Sequence, residues 1–238
     1  MIKEIKEFTN KNKKILGIIS VAALVILLAW FFIFAPSSNK NSFTLDSSSL
    51  PQVWEFKGLY ATPELDATVQ KNIDSLKGRL NDTGADTYDL YVSLAQQYML
   101  IGRGKEAYRY LLRAGDEDPG NSLTFQTMGV LMESLGAQNA AEESFKYAVV
   151  VQPQIVQNHL ALIGYYVRQN TEASVIDAAF AYALEKSGRA TNVLKEYAQW
   201  LEEEKNISKA ITVWEEVLRQ IPDDRAVKER INKLKLKI

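Results

Sequence analysis

Along most of the chain, apolar residues recur at intervals of three and four, the spacing that lines one face of an α-helix. Leu65, Val69, Ile73, Leu76 and Leu80 form one such stripe. Thr62-Pro63-Glu64 ahead of it supplies a cap, a first-position proline and a first-turn acid, so a helix is predicted over 63–80. Val227, Ile231, Leu234 and Ile238 form another stripe at the far end, with Arg225, Lys228, Arg230, Lys233, Lys235 and Lys237 off it. The pattern fails in one place. From Ile15 to Ala35, "ILGIISVAALVILLAWFFIFA" runs 21 residues without a charge and without a polar face, about 32 Å as a helix and enough to cross a bilayer. A cleaved signal peptide fits less well, because its apolar region is shorter and Ile33-Phe34-Ala35 lacks a small-x-small exit before Pro36. Lys3, Lys6, Lys11, Lys13 and Lys14 flank the first end of the span, and Trp30, Phe31, Phe32 and Phe34 crowd the other. This arrangement predicts a basic cytoplasmic N-terminus over 1–14, a transmembrane helix over 15–35 and an extracytoplasmic remainder.

After the span, "PSSNKNSFTLDSSSL" (36–50) is rich in Ser and Asn and reads as a flexible tether reaching roughly 20 Å. "PQVWEFKGLY" (51–60) interrupts it with Trp54, Phe56, Leu59 and Tyr60. These aromatics are expected to dock on the domain that follows, a partner or membrane contact being the second reading. The whole of 36–62 is thus a linker with an aromatic segment.

A longer period lies over the helical one. Ala107, Ala141, Ile176 and Ala210 stand 34, 35 and 34 residues apart. Four residues on stand Leu111, Phe145, Phe180 and Trp214, then Ala114, Ala148, Ala183 and Val217, then Pro119, Pro153, Gly188 and Pro222. Upstream, the columns are Leu94, Met128, Ile163 and Tyr197; Ala95, Gly129, Gly164 and Ala198; and Tyr98, Met132, Val167 and Leu201. Small residues let two antiparallel helices approach, the bulky one fills the hole beside them, and the proline ends the second helix. No pair buries its own apolar face, so neighbours must stack.

These columns resemble the tetratricopeptide repeat. The resemblance covers 88–224 in four units (88–121, 122–156, 157–190 and 191–224). The third departs from the pattern at Ile176 and Gly188 and by one inserted residue near Val156. It implies an all-α fold: an α-solenoid of about four helix-turn-helix repeats, with an N-terminal helix in 63–87 packing on one end and a capping helix at 225–238. A membrane-surface or acidic-partner role for that last helix is the alternative.

Charge and chemistry narrow the reading. Lys plus Arg (28) nearly balances Asp plus Glu (29), which gives no sign of nucleic-acid binding. The distribution is uneven, with a net of −7 over 88–224 and +5 over the last fourteen residues. No cysteine is present, which excludes disulfides and thiol chemistry. "IGRGKEA" (101–107) lacks the first glycine and the preceding strand of a phosphate loop, and its glycines sit at a helix-helix turn. His159 is the only histidine and has no metal-ligand companion, so a structural or an exposed place is expected. No catalytic, cofactor or metal site is expected, and no enzyme activity.

The resemblance further implies a concave face, built from the first helix of each unit, that holds a peptide or partner helix. By repeat position this face should display Asp89, Val92, Gln96 and Met99; Gln126, Val130 and Glu133; Asn158, Ala161, Tyr165 and Arg168; and Asn192, Lys195, Gln199 and Glu202. Tyr165 and Arg168 are expected to contribute most by residue type. The family's carboxylate-gripping set is not reproduced here. The expectation is a single-pass cell-membrane protein whose extracytoplasmic repeats bind a protein or peptide partner in envelope complex assembly. The alternative is a non-catalytic subunit or self-assembling structural protein.

Overall fold

The computed structural model describes residues 43–58 and 63–238, the side chains of 63–65 excepted. The expected transmembrane helix and basic N-terminus lie outside the described residues, as do Leu59 and Tyr60. Among the described residues no helix is long and apolar enough to cross a membrane.

All regular structure here is helical. α1 (Pro63–Arg79) precedes four antiparallel pairs: α2 (Thr87–Leu100) with α3 (Gly104–Glu117), α4 (Ser122–Ser134) with α5 (Gln138–Val151), α6 (Val156–Arg168) with α7 (Ala173–Lys186), and α8 (Thr191–Glu203) with α9 (Ile207–Gln220). α10 (Arg225–Lys235) closes the series. Asp86, Asn121, Asn206 and Asp224 cap α2, α4, α9 and α10, each side chain accepting a backbone N–H of the first turn. Each pair turns on one residue of positive φ, namely Gly102 (72°), Gly136 (72°), Asn170 (51°) and Lys205 (59°). That left-handed residue ends the first helix and reverses the chain.

The core follows the repeat columns. Leu94, Ala95, Ala107, Leu111, Ala141, Ala148, Ala198 and Ala210 are fully buried, and Phe145, Phe180 and Trp214 nearly so. Burying each of these rings stabilises the stack by about 2–3 kcal/mol. Successive first helices approach one another, α2 against α4 and α4 against α6, while no comparable contact joins α3 to α5 or α5 to α7. Over the first three pairs, rows that are closer on one side than on the other bend the stack toward the first helices, which makes that side concave there.

The second and third pairs differ. In the second, Phe145 lies so close to Gly129 that an added Cβ would stand 2.7 Å from its Cδ1. In the third, a Cβ on Gly164 would meet only the tip of Arg168, at 3.1 Å. Ile176, where the other pairs have alanine, is itself buried and spaces α6 from α7. Phe180 packs on the following unit, its ring centroid 4.8 Å from Tyr197 and 5.7 Å from Trp200.

The tether reading of 36–50 needs correction from Phe43 onward. Phe43 sits edge-on to Phe125 at 5.1 Å and against Tyr147 at 4.5 Å, and Leu45 is buried. Asp46 caps a short 3₁₀ turn (Ser47–Ser49) that rests on α5, and burial together with the nearby Asp46 raises the Glu143 carboxyl. The aromatic segment then reaches the first turn. Trp54 stacks on Tyr108 at 5.1 Å, Phe56 N–H donates to Gly102 carbonyl at 3.2 Å, and Gly104 N–H donates to Trp54 carbonyl at 2.9 Å. Residues 43–58 therefore strap the outer sides of the first two pairs. The apolar residues Phe43 and Leu45 defeat the Ser-rich composition around them because aromatic partners lie within reach.

Candidate partner-binding face

The residues expected on the concave face fall into three groups. Val130 (42% exposed), Gln96 and Asn192 are open to solvent, and Gln199 is half-buried. A second group is joined across adjacent helices. Arg168 of α6 donates from Nε and Nη2 to the two carboxylate oxygens of Glu133 on α4, both at 2.8 Å. Gln126 donates to Gln157 carbonyl at 3.4 Å, and Lys195 pairs with Asp224 at 3.2 Å. The bidentate bond to Glu133 raises the already high pKa of Arg168, so the guanidinium stays charged. More than half of its side chain is exposed. The pair therefore presents charge to solvent while its geometry is held.

The third group corrects the expectation. Tyr165 is 3% exposed. Its hydroxyl donates to Gln138 carbonyl at 2.8 Å, and its ring lies 5.3 Å from Phe145, so it plugs the joint between the second and third pairs. Burial, then the carboxylates of Glu142 and Glu133, push its phenol up to about 12. Asn158 is buried, and its amide donates to Ala148 and Gln152 carbonyls at 3.0 and 3.1 Å, adding a second bond to carbonyls that already accept backbone N–H groups at the end of α5. Val92 and Met99 are 4% and 8% exposed, since apolar side chains fill the narrow space where first helices converge. None of these residues is available to a partner.

Asn192 holds the position of Asn158 one unit on, yet its Oδ1 accepts only its neighbour Val193 N–H, at 3.0 Å. The more open third pair thus leaves exposed what the second pair uses as a clamp. His159 is buried, with Nε2 2.7 Å from Pro153 carbonyl and its ring 5.5 Å from Tyr182. Burial lowers its pKa, and Lys186 acts in the same direction. Among the described residues no group of three His, Asp or Glu side chains is placed to hold a metal.

The face runs on past Glu202, the last residue expected on it, into a helix that the four units do not include. Glu202 of α8 accepts from Trp214 Nε1 and from Arg230 Nε, both at 2.6 Å, and the Arg230 guanidinium lies 5.0 Å from the Trp214 ring centre. α10 therefore continues the row of first helices. The signal was available: Arg225 follows Thr191 by the same 34 residues that separate Tyr88 from Ser122.

No protein-family profile matches the chain, and no curated protein is recognisably similar to it in sequence. Solved structures are similar in fold. One of MamA shares 14% identity at a TM-score of 0.50, over 74% of this chain and 99% of that one. A thermophilic TPR protein of Thermus thermophilus, TTC0263, shares 17% at 0.48, over 72% and 91%. A tetratricopeptide repeat protein from Parabacteroides merdae shares 16% at 0.48, over 72% and 71%. At 14% identity the likeness to MamA shows fold alone. The stacked helix pairs that recur every 34 or 35 residues make the architecture an α-solenoid.

Proposed function

We propose that this protein is a non-catalytic scaffold that binds a partner protein or peptide on the concave row of first helices. The observation that carries this reading is the line of solvent-facing, conformationally held side chains along that row, centred on Val130 beside the Glu133–Arg168 pair. An exposed apolar residue next to a fixed, charged fork is the mixture that recognises a peptide by contact and by register. Gln96, Gln126, Gln199 and Asn192 supply amides for a peptide backbone. The chain is held at the cell membrane by residues 15–35 with the repeats on the extracytoplasmic side, a reading supported by the uncharged 21-residue run and the lysines before it. A scaffold so placed serves assembly of envelope complexes.

The test is crosslinking in native membranes followed by mass spectrometry, with the natural chain and with Val130→Asp plus Arg168→Glu. Neighbours should be lost in the double variant while its thermal melting stays near that of the natural chain. Recovery of the same neighbours would remove the concave face from the account. Protease added to spheroplasts should digest 43–238, and protection of that region would reverse the proposed orientation.

A further inference from the structure

The face ends on a basic concavity that the repeat pattern alone does not produce. A cavity of about 430 Å³ opens between α8 and α10, walled by Glu202 and by Ala226, Glu229, Arg230, Lys233 and Lys237. Its cations are in different states. Arg230 is held by Glu202 and the Trp214 ring. Lys235, on another side of the helix, pairs with Glu215. Lys233 and Lys237 line the cavity and are exposed, and among the described residues neither has a carboxylate partner. Glu229, the single acid of the last fourteen residues, has no cation within ion-pair distance either, so it leaves both lysines free.

We infer that this end of the concave face is a subsite for acidic side chains of the bound partner. The inference rests on the reading of that face as a peptide groove and specifies its ligand as an extended acidic peptide. Lys233 lies in the last turn of α10, and Lys237 stands just past its end, where its N–H donates to Leu234 carbonyl at 2.9 Å. In an extended peptide, side chains at alternate positions share a face roughly 6.6–6.8 Å apart. Two acidic residues on one face of such a peptide can each meet one of these long side chains, with the fixed Arg230 guanidinium beside them.

An anionic membrane surface is the rival ligand, and the packing argues against it. A surface-binding amphipathic helix must bury its apolar face in lipid. Within α10 the apolar face is used, with Val227, Ile231 and Leu234 at 4%, 5% and 2% exposure against the solenoid, and the exposed apolar residues Leu236 and Ile238 stand past its end, too few to form a face of their own.

The test uses the full-length chain and three probes: a rhodamine-labelled twelve-residue peptide containing Glu-Leu-Glu-Leu-Glu, the same peptide with Gln for Glu, and vesicles containing phosphatidylglycerol. At low salt the Glu peptide should bind about 5–10-fold more tightly than the Gln peptide, as two exposed ion pairs allow. That margin should close as salt is raised. Lys233→Glu with Lys237→Glu should abolish the margin, and Lys233→Gln with Lys237→Gln should reduce it. Both positions are solvent-exposed, so both variants should melt as the natural chain does. Equal binding of the two peptides would overturn the subsite and leave the groove standing. Binding of neither would overturn the subsite and weigh against the groove as well. Lysine-dependent recruitment to vesicles, without preference for the Glu peptide, would assign the patch to an anionic surface and overturn the inference.

Discussion

The second and third helix pairs share one period and one set of column positions, yet they meet differently. In the second, Gly129 admits the ring of Phe145, Tyr165 plugs the joint to α5, and Asn158 closes its last carbonyls. In the third, Gly164 faces open space up to Arg168, Phe180 leans on the next unit, and Asn192 clamps nothing outside its own helix. The difference follows from Ile176. A branched side chain where the other pairs have alanine props α7 away from α6, so the glycine opposite loses its purpose. A repeat can therefore keep its period while giving up the close approach that the period normally encodes.

The largest test of that comparison is Gly129→Ala. A methyl 2.7 Å from Phe145 Cδ1 must displace a ring held in the core, at a cost of about 3 kcal/mol in urea unfolding. An unchanged midpoint would show that the second pair is as open as the third. Phe43→Ala should follow, removing a ring packed on Phe125 and Tyr147 and costing about 1–2 kcal/mol, because the site is only half-buried. Its loss should raise amide exchange in α5 and leave α8 and α9 unaffected.

Acid should loosen the third pair selectively. Burial lowers the folded-state pKa of His159 below its ordinary value of 6.5, so the fold favours the neutral ring. Below that value the unfolded chain takes up protons that the folded chain refuses, and stability falls as pH drops. From pH 7 to 5, α6 amides should therefore exchange faster, and His159→Gln should flatten this dependence. The smallest effect has the opposite sign to the first. Gly164→Ala adds a methyl that meets only Arg168 Nη1, at 3.1 Å, which a shift of a few tenths of an ångström within the Glu133 pairing relieves, and should stabilise by about 0.5 kcal/mol through helix propensity. A loss comparable to that of Gly129→Ala would contradict the openness of the third pair.

Most of the architecture was legible because packing at a helix crossing constrains residue size. Ala141, Phe145 and Ala148 are recognisable one unit after Ala107, Leu111 and Ala114, whatever surrounds them. The concave face was legible only as a row of positions. Which of its side chains stay open depends on what a neighbouring unit offers. Tyr165 is withdrawn by a carbonyl at Gln138, and Arg168 is held by a carboxylate 35 residues away. Nothing local announces such partners. The strap was half legible: Trp54 and Phe56 signalled docking, but Phe43 and Leu45 were hidden in a Ser-rich composition. Gly102 and Gly104, read as turn residues, also owe their identity to the strap. An added Cβ would lie 1.9 Å from Phe56 oxygen at the first and 2.5 Å from Trp54 oxygen at the second.

The strap also sets an order of events during synthesis. Phe43 leaves the ribosome early, but its ring partner Tyr147 follows about 100 residues later, on the order of 5–20 s at ~5–20 residues per second. Repeat units can fold as they emerge, each on its predecessor, because their contacts are local. The first part of the strap cannot, since its seat is complete only when α5 has been made, whereas Trp54 and Phe56 can dock once the first pair is present. For that interval Phe43 and Leu45 are displayed on an unfinished chain, where a chaperone or a neighbouring nascent chain can reach them before the protein's own second repeat does.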